Sequence, residues 1–171
     1  MFLFVQIWDV VLSKWRLYIW SNWQFSGVHG IFHTASPITF SLDSYDETVT
    51  PALRGSEALL KSALKAGPNL TSVVVTSSVV AIINPTEDLG HVYTEAEFAF
   101  FALEQAIKDK SNGVKSTGGT LYAASKITAD RAVWKFREDH KPAFSISSIV
   151  GFAHLTTPNS VCIFRQLTKF I

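Results

Sequence analysis

The chain has 171 residues, enough for one domain with a sizeable core. Hydrophobic residues make up 47% and charged residues 17%, which excludes a disordered chain, and fifteen basic against fourteen acidic side chains leave a formal charge of +1 and no electrostatic grip on nucleic acid. A single cysteine, Cys162, excludes an internal disulfide framework, makes a reduced, cytoplasmic setting the expectation, and with five histidines argues against a structural zinc site.

Residues 1–25 are atypical in composition: Trp8, Trp15, Trp20 and Trp23 fall here. The uncharged run before Asp9 is far shorter than the ~20 residues that span a bilayer, and Lys14 with Arg16 is too little positive charge for a membrane-surface helix. Gln6, Asp9, Ser13 and Arg16 share one helical face, with Phe4, Ile7, Trp8, Val11, Trp15 and Tyr18 opposite, which fits an amphipathic helix. The run Phe2-Leu3-Phe4-Val5 equally fits the start of a buried strand, and so short a pattern leaves both readings open.

From residue 26 onward strand and helix signals alternate. Residues 27–33 form a short apolar run between turn formers, predicting a buried strand. Val49, Ala52, Leu53, Ser56, Leu59, Leu60, Ala63 and Leu64 repeat at helical spacing, with Gly67-Pro68 expected to cap and stop the helix. Val73-Val74-Val75 predicts a strand covered on both faces, as in a parallel sheet. After an apolar stretch at 79–83, a long connection over 84–119 suggests a lid or binding loop with a helix near 97–108. Helical spacing resumes over 120–138 with Ala129, Ala132, Val133 and Phe136 on one face, and 143–149 is a third strand. This order predicts parallel α/β layers. Residues 26–150 are thus one α/β unit, followed by a divergent tail over 151–171.

Two elements point to chemistry. Tyr122 and Lys126 are four apart in a helix, hence one turn apart on one face, where an ammonium would lower the phenol's pKa toward a value useful for proton transfer. Alone, such a pair is common by chance, and each residue has an ordinary structural reading. Thr76-Ser77-Ser78 follows a predicted strand, where open α/β sheets collect ligands, so a serine there could hydrogen-bond a carbonyl oxygen gaining negative charge. An isolated serine at such a place is more often a helix cap or turn residue. Histidines 29 and 33 lack the acid that zinc hydrolases require, no G-x-S-x-G elbow occurs, and Cys162 sits in an apolar context that suits a small core residue. No metal site is expected.

In chain order, His33-Thr34-Ala35-Ser36-Pro37, Pro51 with Gly55, Val73-Val74-Val75-Thr76-Ser77-Ser78, Tyr93-Thr94-Glu95 and Tyr122-Ala123-Ala124-Ser125-Lys126 resemble the extended short-chain dehydrogenase/reductase family (the NAD-dependent epimerase/dehydratase superfamily), especially fungal aldehyde and ketone reductases and plant dihydroflavonol and cinnamoyl-CoA reductases. The resemblance implies a Rossmann-like fold and NADP-dependent reduction of a small carbonyl substrate, or oxidation of the alcohol. It implies a catalytic trio of Ser78, Tyr122 and Lys126: Ser78 polarises the carbonyl, Tyr122 delivers the proton, and Lys126 binds the nicotinamide ribose. Cofactor contacts would come from Thr34, Ala35, Ser36, Thr76, Tyr122 and Lys126.

The G-x-x-G-x-x-G turn of that family occurs nowhere in the chain, and Ser148-Ile149-Val150-Gly151-Phe152 departs from its pattern after the third strand. The expected fold is therefore an incomplete Rossmann-like parallel sheet with flanking helices, lacking the Gly-rich first half and most of the substrate domain. A second reading stands beside the reductase: a non-catalytic fragment acting by association with another protein or a membrane surface.

Overall fold

The computed structural model describes residues 2–5, 25, 27–34, 44–88, 90–94, 96–151 and 162–166, giving only the backbone course for 2–5, 151 and 162–166. The sheet has five strands in chain order: β1 (Phe2–Val5), β2 (Gly30–His33), β3 (Ser72–Thr76), β4 (Ser145–Gly151) and β5 (Cys162–Gln166). Strands β1 to β4 are parallel, and β5 pairs antiparallel with β4. The expected α/β class with a parallel sheet and flanking helices is what the chain adopts.

Sequence logic explains most of it. Helix α1 (Tyr45–Ala63) starts where Ser44 Oγ accepts the Glu47 amide, with Asp46 and Glu47 placing negative charge in the first turn. Its Val49, Ala52, Leu59, Leu60 and Ala63 are buried. Helix α2 (Phe100–Ser111) lies inside the long connection, and α3 (Gly118–His140) begins on Thr117, whose Oγ1 accepts the Thr120 amide at 3.1 Å. Helix α3 packs against both α1 and α2. The main core joins Ile31, Val73, Val75 and Ile146 of the sheet to Leu59, Leu60 and Ala63 of α1 and to Val133 and Phe136 of α3. Each large side chain so buried contributes roughly 1.5–3 kcal/mol.

Several expectations change. Gly67 is not the cap of α1: Leu64 closes it in right-handed conformation, the chain tightens through Lys65 and Ala66, and Gly67 adopts φ +88° only afterwards. The strand of 27–33 begins at Gly30, so His29 stands outside it and is exposed while His33 is buried. The valines of β3 alternate, with Val73 and Val75 buried and Val74 half-buried, because the described helices cover one face of the sheet. The apolar run after Ser78 is a 3-10 turn at Val79–Ala81.

The ends contribute strands. Phe2–Val5 pairs with β2, which favours the strand reading of this run and removes Phe4 from the helical face. Phe25 is 1% exposed in the main core, and the rest of the proposed amphipathic helix lies outside the described residues. Cys162 begins β5; its side chain, and so its expected burial, also lies outside them.

Candidate active site

Because β2, β3 and β4 are parallel, their carboxyl ends open on one edge of the sheet. Register fixes the neighbours there: His33 pairs with Val75, and Thr76 with Ile149. Thr34 therefore leaves β2 beside the point where Thr76 ends β3, and both are exposed. Ala35 and Ser36, expected cofactor contacts, lie outside the described residues.

Ser77 prolongs the ladder by donating its amide to Ile149 O at 2.8 Å, while its Oγ is sealed from solvent without a hydrogen-bond partner. Ser78 takes the cap position of the 3-10 turn in extended backbone conformation, yet its side chain makes no capping bond. Side-chain capping of the turn therefore does not account for the hydroxyl of Ser78, a residue 6% exposed. Ala99 donates its amide to Ala81 O at 2.9 Å, tying the approach to α2 to this turn, and α3 packs against it.

Helix α3 supplies the other groups. Tyr122 is half-buried, and Lys126, 7% exposed, holds its Nζ 5.7 Å from the Tyr122 ring centroid. Ser125 Oγ donates to Tyr122 O at 2.7 Å. Burial pulls the Lys126 ammonium down to about 8, opposed by the negative charge of Asp130. His33 is held at about 4, first by burial and then by the charge of Lys126. The Lys126 charge thus acts on His33, at the end of β2.

Behind Lys126, Asp130 is 2% exposed and its Oδ1 accepts the hydroxyl of the fully buried Ser148 at 2.7 Å. Sequence reasoning gave His33 no place in this cluster and passed over Asp130 and Ser148. Two signals could have found the last pair. Asp130 continues the spacing 122, 126, 130 along one helix face, and Ser148 interrupts the inward row Ile146, Ser148, Val150 of β4.

Of the predicted residues, Thr34 and Thr76 lie at neighbouring strand ends and Ser78 follows two residues after Thr76, while Tyr122 and Lys126 stand together on α3, the helix that packs against the 3-10 turn after Ser78. Tyr93 acts locally, since its hydroxyl donates to Asn84 O and accepts from Asn84 N. Among the described residues no group of three or more His, Cys, Asp or Glu side chains could hold a metal ion, and no helix is long and apolar enough to cross a membrane.

A parallel α/β sheet with helices packed on it and hydroxyl side chains where its strands end is a Rossmann-like arrangement. A comparison with protein-family profiles finds no match. Similarity to individual proteins is clear. Aldehyde reductase 2 of Sporidiobolus salmonicolor is 35% identical over 126 residues, covering 72% of this chain and 36% of that protein. Cinnamoyl-CoA reductase CAD2 of Medicago truncatula is 34% identical over 122 residues, covering 67% of this chain and 32% of that protein. Among solved structures, Gre2 of Candida albicans in complex with NADPH superposes with a TM-score of 0.60 at 25% identity, over 71% of this chain and 35% of that one. The chain belongs to the short-chain dehydrogenase/reductase (NAD-dependent epimerase/dehydratase) superfamily, and spans about a third of the length of these relatives.

Proposed function

We propose that the chain carries the acid–base end of an NADP-dependent carbonyl reductase acting on a small aldehyde or ketone. The observation that supports this best is Lys126, buried with its ammonium beside the Tyr122 ring on the helix that packs against the 3-10 turn, at whose start Ser78 makes no side-chain capping bond. The names of the relatives, an aldehyde reductase and an NADPH-bound protein among them, point the same way.

The residues suit the nicotinamide-ribose end of such a cofactor: Lys126 offers a buried ammonium, Thr34 and Thr76 are exposed at neighbouring strand ends, and the Ser77 Oγ next to Thr76 is unsatisfied. Lys126, Tyr122, Thr34 and Thr76 would hold it, and the resemblance adds Ala35 and Ser36. When bound, the cofactor supplies the hydride. Ser78 Oγ donates a hydrogen bond to the substrate carbonyl oxygen, stabilising the charge that grows there. Tyr122 passes its hydroxyl proton to that oxygen, and the positive charge of Lys126 stabilises the phenolate left behind. The sequence holds no G-x-x-G-x-x-G motif, so no binding contact is assigned to the cofactor pyrophosphate.

The test is thermal denaturation of the purified chain with and without NADPH, coupled to NADPH oxidation with small aldehydes and ketones. NADPH should raise the midpoint, and Tyr122→Phe should abolish turnover while keeping that rise. A chain neither stabilised by NADPH nor able to oxidise it is a non-catalytic fragment, and the proposal fails.

A further inference from the structure

The interior of a protein this small rarely holds ionised groups, and each one present needs an electrostatic reason. Among the described residues the buried ionisable side chains are His33, Lys126 and Asp130, and all three belong to one place. Lys126 and Asp130 stand one turn apart on the inner face of α3, and His33 comes from the end of β2. Ser148 closes the group from β4. It occupies a position where its neighbours in the same row, Ile146 and Val150, are apolar and 0% and 1% exposed. An alcohol in such a row forfeits apolar burial, and here its hydroxyl is committed to Asp130 Oδ1 at 2.7 Å.

We propose that Asp130, anchored by Ser148, is a positioning residue that keeps the buried Lys126 side chain charged at the strand edge. This rests on the reading of Lys126 as the cofactor-binding and proton-transfer lysine. Desolvation alone drives a buried amine toward its neutral form, which can neither attract an anion nor stabilise a phenolate. Among the described residues, those that act on or stand beside Lys126 are Tyr122 and Asp130 of its own helix and His33 of β2, with the Ser148 hydroxyl on Asp130. His33 is neutral above about pH 4 and offers no compensating charge. Helix α1 and the 3-10 turn present no buried ionisable side chain among the described residues. Asp130 is therefore the counter-charge. The serine matters because a carboxylate held by a hydrogen bond cannot turn away from the lysine it serves.

The measurement is an NMR titration of 13C-labelled lysines in the full chain, with the Lys126 signal assigned by its loss in Lys126→Met. Asp130→Asn keeps an acceptor for Ser148 and removes the charge. It should lower the Lys126 midpoint by one unit or more, raising the neutral fraction at pH 7 about fivefold. Asp130→Glu should restore part of the difference, and Ser148→Ala should give a smaller fall than Asp130→Asn. A role confined to packing would lower the thermal midpoint and leave the Lys126 titration where it was, and that result overturns the proposal. Should Asp130→Asn fail to fold, Ser148→Ala decides, since an unmoved Lys126 midpoint there is equally fatal. No NADPH or substrate enters this readout. Failure of the reductase reading would show as absent NADPH binding, with the coupling of Lys126 to Asp130 still measurable.

Discussion

His33 and His91 each stand near a charged partner, and their surroundings drive them in opposite directions. His33, on β2, is buried with Lys126 close enough to act on it, and is held at about 4 by burial first and the lysine charge second. His91 lies in the connection between the 3-10 turn and α2, where its Nε2 meets Glu97 Oε2 at 2.7 Å. That hydrogen bond raises the His91 pKa, and in return His91, followed by the amide and hydroxyl of Thr94, holds Glu97 at about 2. In the interior the missing water dominates; at the surface the partner does. The surface loop stitches itself with side chains, as in Asn84 Oδ1 accepting from Thr86, and among its described residues buries no ionisable side chain. At the strand edge the protein accepts the cost of buried charge, which points to a functional role there.

The largest contrast should appear on deleting the acid of each network. Asp130→Ala leaves Lys126 without its counter-charge and the buried Ser148 hydroxyl without an acceptor, so we expect a loss of about 4 kcal/mol. Glu97→Ala, on the exposed loop, should leave the global unfolding midpoint in urea unmoved. Equal losses at the two sites would erase the distinction between them.

Next in size is the pH dependence set by His33. Between its folded value of about 4 and the unfolded 6.5, the unfolded chain binds a proton that the native chain refuses. Stability should therefore fall as pH drops through that window, by up to roughly 3 kcal/mol. His33→Gln should remove this part of the slope, and urea titrations at pH 7 and pH 4 read it directly. Lys126 predicts the matching effect at high pH. Its folded value of about 8 lies below the unfolded 10.5, so stability should rise as pH climbs from 8 to 10.5. A slope unaltered by His33→Gln would mean that other groups carry the acid sensitivity.

The same division governs what could be seen in the sequence. Periodicity located α1 and α3 because their inner faces are largely apolar, and it located β3 because three consecutive valines leave little alternative. Tyr122 and Lys126 were visible because a helix converts a spacing of four into adjacency. Asp130 and Ser148 were not, because their meaning depends on a contact between residues eighteen positions apart, on a helix and a strand. Strand β1 was only half visible: Phe2–Val5 is as apolar as a strand, but a helical stripe overlaps it, and pairing with β2 decides the matter. The helix over 97–108 was shifted, since the acidic Glu97 that seemed to open it is drawn back to Thr94 and His91, and α2 starts at Phe100.

The smallest effect sharpens the comparison most, because it isolates the surface rule. Glu97 has a lowered pKa, so its contribution is present above the unfolded 4.5 and fades as pH falls toward about 2. His91 has a raised pKa, so its contribution is complete below the unfolded 6.5 and disappears as pH rises through the folded value. The His91–Glu97 tie is thus fullest between about pH 4.5 and 6.5, the range in which the His33 region weakens. In Glu97→Gln the His91 midpoint, followed by NMR, should return toward its ordinary value. The Thr94 amide, which donates to Glu97 Oε1 at 2.8 Å, should exchange faster with solvent. If His91 titrates unchanged in that variant, its partner is not Glu97, and the idea that hydrogen bonding governs the loop's histidine while burial governs His33 fails at its simpler end.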